Sequence, residues 1–426
     1  MSNLNSVVNV SIQLQTGAAL GESFDYICLV GPLPSAWSAW AYESTYTLGQ
    51  MVYNGTHVYR CATAGSALSE TGPTGTGTGI VDGEATGGAT PAVWDYVKEV
   101  PPDVGIYNAL TDVADAGWET VGAEADPVGM AAAVAFSQSP KPDKIYIACQ
   151  KWTGSALETI GMTLNRAKEF GGWYVVCPAL GGDNPEQYYE TIATWTEANT
   201  LLFGYTFTGD VDPVGDGYYR SFGFDGKIKD TAAEYETPDS NKYLAVGAAV
   251  KCLSYQSGSE TWAFKSLGGL TPSDFSATHI AVLEAANINY YESLAGLNVT
   301  RLGKVKAGEW IDVIRFRDWL ENDMRVRVAN VLLSNPKIPY TDSGIALIRT
   351  AMVSSLMQGQ QNGGISETTI ATDGTLIPGY AVSVPSAASI SAADKAARVL
   401  NNCRFEAYLS GAIHAVKIIG YLSYLG

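Results

Sequence analysis

Charged side chains are scarce in this chain of 426 residues. Asp, Glu, Lys and Arg make up 16% of the sequence, whereas about 25% is usual for a soluble domain. A large protein with so few charges is expected to bury much of its surface against other subunits. The net charge of -17 argues against nucleic-acid binding, because an acidic protein repels phosphates. The 46% hydrophobic content excludes disorder for most of the chain.

Residues that commonly catalyse reactions or bind metals are few and scattered. The three histidines, His57, His279 and His414, have no second His or Cys at metal-ligand spacing. The six cysteines form no CxxC pair, and most lie in apolar runs, which predicts reduced thiols in protein cores. Neither a GxSxG nor a GxxxxGK[ST] motif occurs. We therefore predict no enzymatic activity, no metal and no cofactor.

Long apolar runs are also missing, since no stretch approaches the roughly 18 residues of a membrane span. Residues 1–5 show no basic segment followed by an apolar one, so we expect neither a signal peptide nor membrane insertion. The charge that is present is unevenly spread. Residues 1–300 carry 13 basic and 33 acidic side chains, whereas residues 301–426 carry 13 and 10. This asymmetry suggests that the C-terminal third faces a different partner.

Alternation of apolar and polar residues predicts a strand near each end of the chain. Val8, Val10, Ile12 and Leu14 alternate with polar residues. A second terminal strand is predicted over residues 412–425. Such strands either pair within the chain or complete a sheet in another subunit, because an open sheet edge offers unpaired N–H and C=O groups.

Between the termini, strands and helices alternate in the way that is typical of an α/β layered domain. Strands are predicted over residues 26–30, 143–149, 173–177 and 201–206, and Pro127 begins a helix that ends at Phe136. Ser155 and Glu158 have capping-box spacing for the helix that ends before residue 171. Near the C-terminus, helices are predicted over residues 309–333, 342–357 and 392–400, with strands over 377–384 and 402–409.

Residues 35–97 differ from this pattern, because they are rich in aromatic residues, glycine and threonine. Short β segments and Gly-rich turns predict a small inserted β module. Its rings suit either of two roles, a miniature hydrophobic core or stacking on the C–H faces of sugars. The candidate glycan-stacking residues are Trp37, Trp40, Tyr46, Tyr53 and Trp94.

Several motifs in one order resemble bacteriophage contractile (myovirus) tail sheath proteins. They lie at residues 136–142, 337–345, 362–365 and 394–398 and in the closing segment 411–418. The resemblance covers residues 1–34 and 98–426. Residues 35–97 instead resemble the small carbohydrate-binding modules of chitinases, with a long Gly/Thr loop added.

The resemblance implies a structural subunit that polymerises as stacked hexameric rings around a tail tube. Contraction of the stack drives the tube through the host envelope for genome delivery. The implied partners are further copies, the tube protein, baseplate and tail terminator proteins, and host surface glycans through the module. The implied location is the virion, with assembly in the host cytoplasm. The alternative function is a glycan-binding adhesin or virion decoration protein.

The resemblance also assigns domains and contact residues. An N-terminal arm covers residues 1–20, an α/β (α+β) layered sheath domain covers 21–34 and 98–300, the inserted module covers 35–97, and a C-terminal sheath domain covers 301–426. Strand exchange is assigned to the two arms, and the last helix is expected to face the tube through Lys395 and Arg398, unless it is only a solvated face. The arm residues are Val8, Val10, Ile12, Leu14, Ile413, Val416 and Ile418.

Overall fold

The computed structural model of the protein describes residues 22–85, 88–122, 125–153, 156–181, 184–229 and 239–417. The N-terminal arm strand with Val8, Val10, Ile12 and Leu14 therefore lies outside the described residues, and so does Ile418. No helix among the described residues is long and apolar enough to cross a membrane.

The strands up to residue 225 form two larger sheets and two short ribbons. In chain order they are β1 (Ile27–Pro32), β2 (Trp37–Ala39), β3 (Thr45–Tyr46), β4 (Met51–Asn54), β5 (His57–Thr63), β6 (Gly65–Ser66), β7 (Ile80–Val81), β8 (Val93–Glu99), β9 (Val104–Tyr107), β10 (Ile145–Gln150), β11 (Trp152–Thr153), β12 (Ala156–Leu157), β13 (Val175–Pro178), β14 (Leu202–Phe207) and β15 (Ser221–Asp225).

The later strands pair only as two-stranded ribbons in the described part of the chain. They are β16 (Tyr290–Leu294) with β17 (Leu297–Arg301), β18 (Thr369–Ile370) with β19 (Leu376–Ile377), and β20 (Tyr380–Ser383) with β21 (Arg404–Ala407). The α-helices are α1 (Leu110–Ala116), α2 (Pro127–Phe136), α3 (Ile160–Phe170), α4 (Tyr189–Asn199), α5 (Leu244–Leu253), α6 (Ala277–Ala285), α7 (Ile311–Ser334), α8 (Asp342–Gln361) and α9 (Ala392–Ala397).

A six-stranded sheet organises the larger part of the molecule, in the order β15-β14-β13-β1-β10-β9. All neighbours are parallel except β9 and β10. Leu29 and Ile147 point into a core with α2 and α5, whereas Val30 and Ala148 point into a second core with α3 and α4. Strands buried on both faces read as continuous apolar runs, as these do. The predicted α/β layered architecture is confirmed.

Several predicted bounds hold and one capping prediction is wrong. Helix α2 spans the predicted residues Pro127–Phe136, with the proline in its first turn. Helix α3 begins at Ile160, with Thr159 as its N-cap. It therefore does not begin near residue 155, where the capping-box spacing predicted its start. The Glu158 carboxylate instead binds Arg166 and accepts hydrogen bonds from the backbone N–H of Lys151 and the Thr163 hydroxyl.

The insertion forms a sheet of its own, with the strand order β2-β4-β5-β8-β7. Its last strand, β8, ends at Glu99, so the predicted boundary at residue 97 falls inside a strand. We call residues 37–99 the inserted module. Its core contains Tyr46, Tyr59 and Trp94. The Asp82 carboxylate, only 1% exposed, accepts hydrogen bonds from the indole N–H groups of Trp40 (2.8 Å) and Trp94 (3.0 Å).

The predicted boundary between residues 300 and 301 is also displaced. Residue 301 is still part of β17, and Val305 belongs to the large core. We therefore call residues 22–34 and 100–310 the core domain, and residues 311–417 the C-terminal part. Helices α7 and α8 pack against each other there, and a small cluster of Phe316, Leu320, Leu356 and Ile365 lies between them and the ribbon β20–β21.

Candidate assembly surfaces

Helix α7 joins the C-terminal part to the core domain through a buried arginine. The Arg315 side chain is fully buried and donates to the Glu260 carboxylate, which is also fully buried, over 2.7 Å. It donates as well to the backbone carbonyls of Phe24 (3.1 Å) and Tyr255 (3.0 Å). A desolvated guanidinium is tolerated only when its donors are satisfied, as they are here. The start of α7 is therefore part of the core.

A second buried pair lies one turn further along α7. Asp318 accepts from Arg220 over 2.6 Å and from the Tyr174 hydroxyl over 2.7 Å. Burial, reinforced by the Asp318 carboxylate, raises the pKa of the Tyr174 hydroxyl well above its ordinary value. The phenol thus stays protonated and continues to donate. Both contacts fix the direction in which α7 leaves the core domain.

The rest of the C-terminal part exposes an unusual amount of apolar surface. Large exposed patches commonly mark interaction sites, whereas single exposed apolar side chains are ordinary. Three of these residues lie on α7 and α8, and nine lie in the ribbons and loops that follow α8. The exposed apolar side chains are Leu333, Leu347, Met357, Ile370, Leu376, Ile377, Val399, Phe405, Tyr408, Leu409, Ile413 and Val416.

The ribbon β20–β21 offers open backbone edges. Its strands are antiparallel, with Tyr380 opposite Ala407, and no further strand joins them among the described residues. After β21 the chain runs beside residues 363–366, where Ser366 N–H donates to the carbonyl of Tyr408 over 2.8 Å. The ribbon packs on the cluster between α7 and α8 through Tyr380 and Val382, and its open edges offer backbone N–H and C=O groups to a further strand.

The C-terminal arm is described only up to residue 417. Residues 412–417 form no strand, so the prediction of a strand beginning at residue 412 is wrong for this part of the isolated chain. Ile413 is 82% exposed and Val416 is 74% exposed. These two predicted arm residues thus lie on the surface, with their backbone outside any sheet. An extended segment without a partner is suited to pairing with another chain.

The described part of the chain begins beside α7. Glu22 and Ser23 line a groove of about 1250 Å³ together with Arg317, Glu321 and Arg325. Burial raises the pKa of the Glu22 carboxyl, although Arg325 partly offsets this. The point where residues 1–21 join the core domain is therefore close to the C-terminal part.

The predicted tube-facing residues lie on the surface around α9. Lys395 is exposed and its ammonium donates to the carbonyl of Ala387 over 3.1 Å. Arg398 is exposed too, but it ends the helix in a left-handed conformation with φ of 58°. It does not lie one helical turn from Lys395, as predicted, because α9 stops at Ala397. The two cations nevertheless lie close in sequence on the surface of the C-terminal part.

Burial corrects the predicted sugar-stacking set in the inserted module. Trp37, Tyr46 and Trp94 are 8%, 4% and 0% exposed, so their ring faces are closed to a ligand. Trp40 is half-buried, and a Cβ added to Gly72 would lie 2.7 Å from its ring, which shows that the Gly/Thr loop packs on the indole. Tyr53 is also half-buried. Tyr46 and Trp94 belong to the module's core with Trp40 packed against it, whereas Trp37 packs on Gly117 of the core domain.

Sequence reasoning did not identify the buried charges of α7 or the role of His414, which contacts Thr261, Phe264 and Trp310. A lone histidine in an otherwise apolar C-terminal segment was the available signal.

Among the residues described, no group of three His, Cys, Asp or Glu side chains has the arrangement of a metal site.

Among the comparisons with known proteins, one family model matches the C-terminal part of the chain. Residues 311–422 match the family model described as "E217 tail sheath protein gp31-like, C-terminal domain". The match begins at the first residue of α7. The comparison with curated proteins gave no match.

Two solved structures share the fold over nearly the whole chain. One is the helical sheath of the anti-feeding prophage in its contracted state, at 11% identity and a TM-score of 0.57. The other comes from the six-fold symmetrised baseplate of the same particle, at 12% identity and a TM-score of 0.55. Each alignment covers 97% of this chain and 98% of the other.

The likeness of residues 35–97 to carbohydrate-binding modules stays a prediction. The predicted resemblance to contractile tail sheath proteins is confirmed: residues 311–422 match the C-terminal domain of that family, and the chain has a sheath fold.

Proposed function

We propose that this protein is the structural subunit of a contractile phage tail sheath. Copies polymerise as stacked hexameric rings around the tail tube, and contraction of the stack drives the tube through the host envelope for genome delivery. The observation that carries the proposal is the contrast between a closed core domain and a C-terminal part with open strand edges. The family match of residues 311–422 and the likeness to a contracted helical sheath support it.

The mechanical role follows from how the chain distributes its contacts. Contraction needs subunits that keep their shape while their relative positions change, because packed cores do not deform continuously. The core domain is such a body, held by two hydrophobic cores and by the buried pairs of Arg315 and Asp318. The role is structural, and it requires neither catalysis nor a cofactor.

Strand exchange is the proposed link between copies. Val8, Val10, Ile12 and Leu14 of one arm, and Ile413, Val416 and Ile418 of the other, complete the β20–β21 sheet of neighbouring copies. Backbone ladders survive rigid-body movement of the domains they connect, provided that the linking segments are extended. The exposed backbone at residues 412–417 and the open ribbon edges support this assignment.

Lys395 and Arg398 are proposed to contact acidic groups on the tail tube. Exposed ion pairs contribute only about 0–1 kcal/mol each, but six copies per ring repeat them along the tail. An attachment made of many weak contacts forms during assembly and is broken when the sheath releases the tube.

Baseplate and tail terminator proteins are the proposed partners at the two ends of the stack. The completed sheath is part of the virion and assembles in the host cytoplasm.

Glycan binding by the inserted module is a secondary part of the proposal. The rings still open to a sugar are those of Tyr53 and, once the Gly/Thr loop moves away, Trp40. The alternative function, a glycan-binding adhesin or virion decoration protein, has weaker support, because most of the candidate rings are buried.

Polymerisation of purified protein tests the proposal. Wild-type protein is expected to form striated cylinders in electron micrographs, whereas variants lacking residues 1–15 or 412–426 should remain soluble, folded and unpolymerised. Circular dichroism provides the control for folding. An adhesin would form no cylinders at any concentration, and normal cylinders from either truncated variant would contradict the strand-exchange link.

A further inference from the structure

Residues 411–417 follow the last strand as an exposed segment with a single inward side chain. Gly411 turns the chain with φ of 66°. Of these seven positions, His414 alone is half-buried, and the other six are exposed. Within residues 411–417, the segment therefore packs on its own subunit mainly through His414.

The His414 imidazole lies in a clamp built from two parts of the core domain. Its Nε2 is 2.8 Å from the Thr261 hydroxyl. The ring meets Trp310 edge-on at 4.7 Å between centroids and Phe264 edge-on at 5.6 Å. Edge-to-face contacts at these distances are favourable aromatic geometries. Since Trp310 is also the N-cap residue of α7, the clamp lies where the core domain passes into the C-terminal part.

The backbone at Phe264 is strained, which is uncommon for a bulky residue. Its φ is 60°, in the left-handed region. The conformation is held by a hydrogen bond from Phe264 N–H to the Thr300 carbonyl (2.7 Å) and by one from Lys265 N–H to the Thr300 hydroxyl (3.0 Å). Strain of this kind persists only where surrounding contacts impose it, and it is concentrated at functional sites. Here it turns the Phe264 ring towards His414.

Cations surround the clamp. Burial lowers the pKa of His414, and the positive charges of Lys265 and Arg301 lower it further. Lys304 lies over the Trp310 ring at 5.2 Å and adds a third cation nearby. The clamped imidazole is therefore neutral at pH 7. Because the released histidine has the higher pKa, protonation favours release, and the clamp weakens as the pH falls through the ordinary range of histidine.

We infer that His414 is the anchor that fixes where the C-terminal arm leaves its own copy, so that the residues beyond it are directed to a second copy of this chain. Thr261, Phe264 and Trp310 form the receiving pocket. Only the statement about a second copy rests on the proposed function, because the contacts of His414 lie within a single subunit. An arm that is fixed at its root searches less space for its partner, which lowers the entropic cost of strand exchange.

Proton NMR of the full-length soluble subunit tests the clamp without assembly. The chain has only three histidines, so a His414→Gln variant assigns the His414 ring signal. The wild-type signal should show a ring-current shift and titrate below the ordinary histidine range. Thr261→Val and Phe264→Leu should move the titration towards the ordinary value. Phe405→Leu is the matched control, because Phe405 is equally exposed (41% against 40%) and is not among the rings that contact His414.

Assembly tests the anchor. His414→Ala should raise the concentration needed for cylinders about 5- to 30-fold, the factor that corresponds to a loss of one to two kcal/mol. His57→Ala, a histidine of the inserted module, should leave that concentration unchanged. An ordinary titration of His414 in the wild type would overturn the clamp, and normal assembly of His414→Ala would overturn the anchor. A wild type that forms no cylinders but shows the shifted signal would reject the proposed function while keeping the clamp.

Discussion

The core domain and the C-terminal part bury different shares of their apolar residues. In the core domain, every residue of β10, β13, β14 and β15 is buried, and helices close both faces of the sheet. In the C-terminal part, a cluster of four buried residues supports two helices and two ribbons, and large side chains such as Ile370 and Val416 are more than 70% exposed.

This difference indicates which region is complete as a monomer. The six-stranded sheet has both faces covered by helices of its own chain. A two-stranded ribbon with open edges and exposed apolar neighbours gains further stability by association. The scarcity of charge in the sequence therefore reflects two kinds of burial, one inside the core domain and one expected between copies.

The largest expected effect comes from breaking the connection between the two regions. Arg315→Met leaves Glu260 buried without its cation, and removal of one partner of a buried pair typically costs about 3–5 kcal/mol. Urea denaturation measures this loss. Arg325→Met on the same helix is the control, since Arg325 is 36% exposed and pairs with Glu321, which is 48% exposed, and it should change stability by less than about 0.5 kcal/mol. A loss below about 1 kcal/mol for Arg315→Met would contradict the assigned role.

Excision of the inserted module should affect the core domain less. Replacing residues 36–100 with a short Gly/Ser linker removes the packing of Trp37 on Gly117 and the hydrogen bond from Lys98 to the Asp115 carbonyl. Because the module has its own hydrophobic core, we expect a loss below about 2 kcal/mol in calorimetry, within the ordinary range of mutational effects. Cylinders should still form. An unfolded or assembly-defective product would show that the module is integral to the sheath.

A smaller effect is expected at the first turn of α7. Burial raises the pKa of Asp312 from 3.8 to about 6. The folded state therefore disfavours the carboxylate, so this residue costs stability above pH 6 and costs none below pH 3.8. Asp312→Asn should raise the free energy of unfolding by about 1 kcal/mol at pH 8, given about 1.4 kcal/mol per pKa unit and partial relaxation. The gain should vanish near pH 4.

Denaturant titrations of Asp312→Asn at pH 4 and pH 8 check this expectation. Asp342→Asn is the control, because Asp342 occupies the first turn of α8 but is exposed. A gain that is equal at both pH values would exclude the carboxylate as its cause.

The smallest effect on the subunit is expected from the double variant Lys395→Glu and Arg398→Glu. Both side chains are exposed, so stability should change by less than about 0.5 kcal/mol. Assembly around tail tubes should nevertheless be impaired, while tube-free cylinders still form. Lys337→Glu with Arg349→Glu, two exposed cations of the same region, is the control. Full-length extended tails at wild-type yield in both low and high salt would contradict the tube contact.

The sequence predicted features whose signal is local. Pro127 marked the start of α2, and the apolar runs of β1 and β10 marked strands covered on both faces. The apolar periodicity likewise predicted a helix over residues 309–333, and α7 spans Ile311–Ser334. Each of these depends on neighbouring residues, so pattern and structure agree.

Features that depend on tertiary packing were not predictable in this way. An arginine within a helix usually indicates a solvent-facing position, yet Arg315 is fully buried because Glu260 and several carbonyls surround it. Glu158 had the spacing of a capping residue, but Arg166 lies close enough to compete for its carboxylate. The tryptophans of the inserted module were candidates for stacking on sugars, but Trp94 is fully buried in the module's core. Burial of a polar or aromatic side chain is a property of the fold, which no local pattern encodes.

The most direct test of the central claim is a cryo-EM reconstruction of cylinders formed by the wild-type protein. The account predicts that residues 412–426 of one copy run as a strand beside the β20–β21 ribbon of another, with residues 7–15 of a further copy in the same sheet. A reconstruction in which both terminal segments fold back on their own copy, and the ribbon edges face solvent, would contradict it.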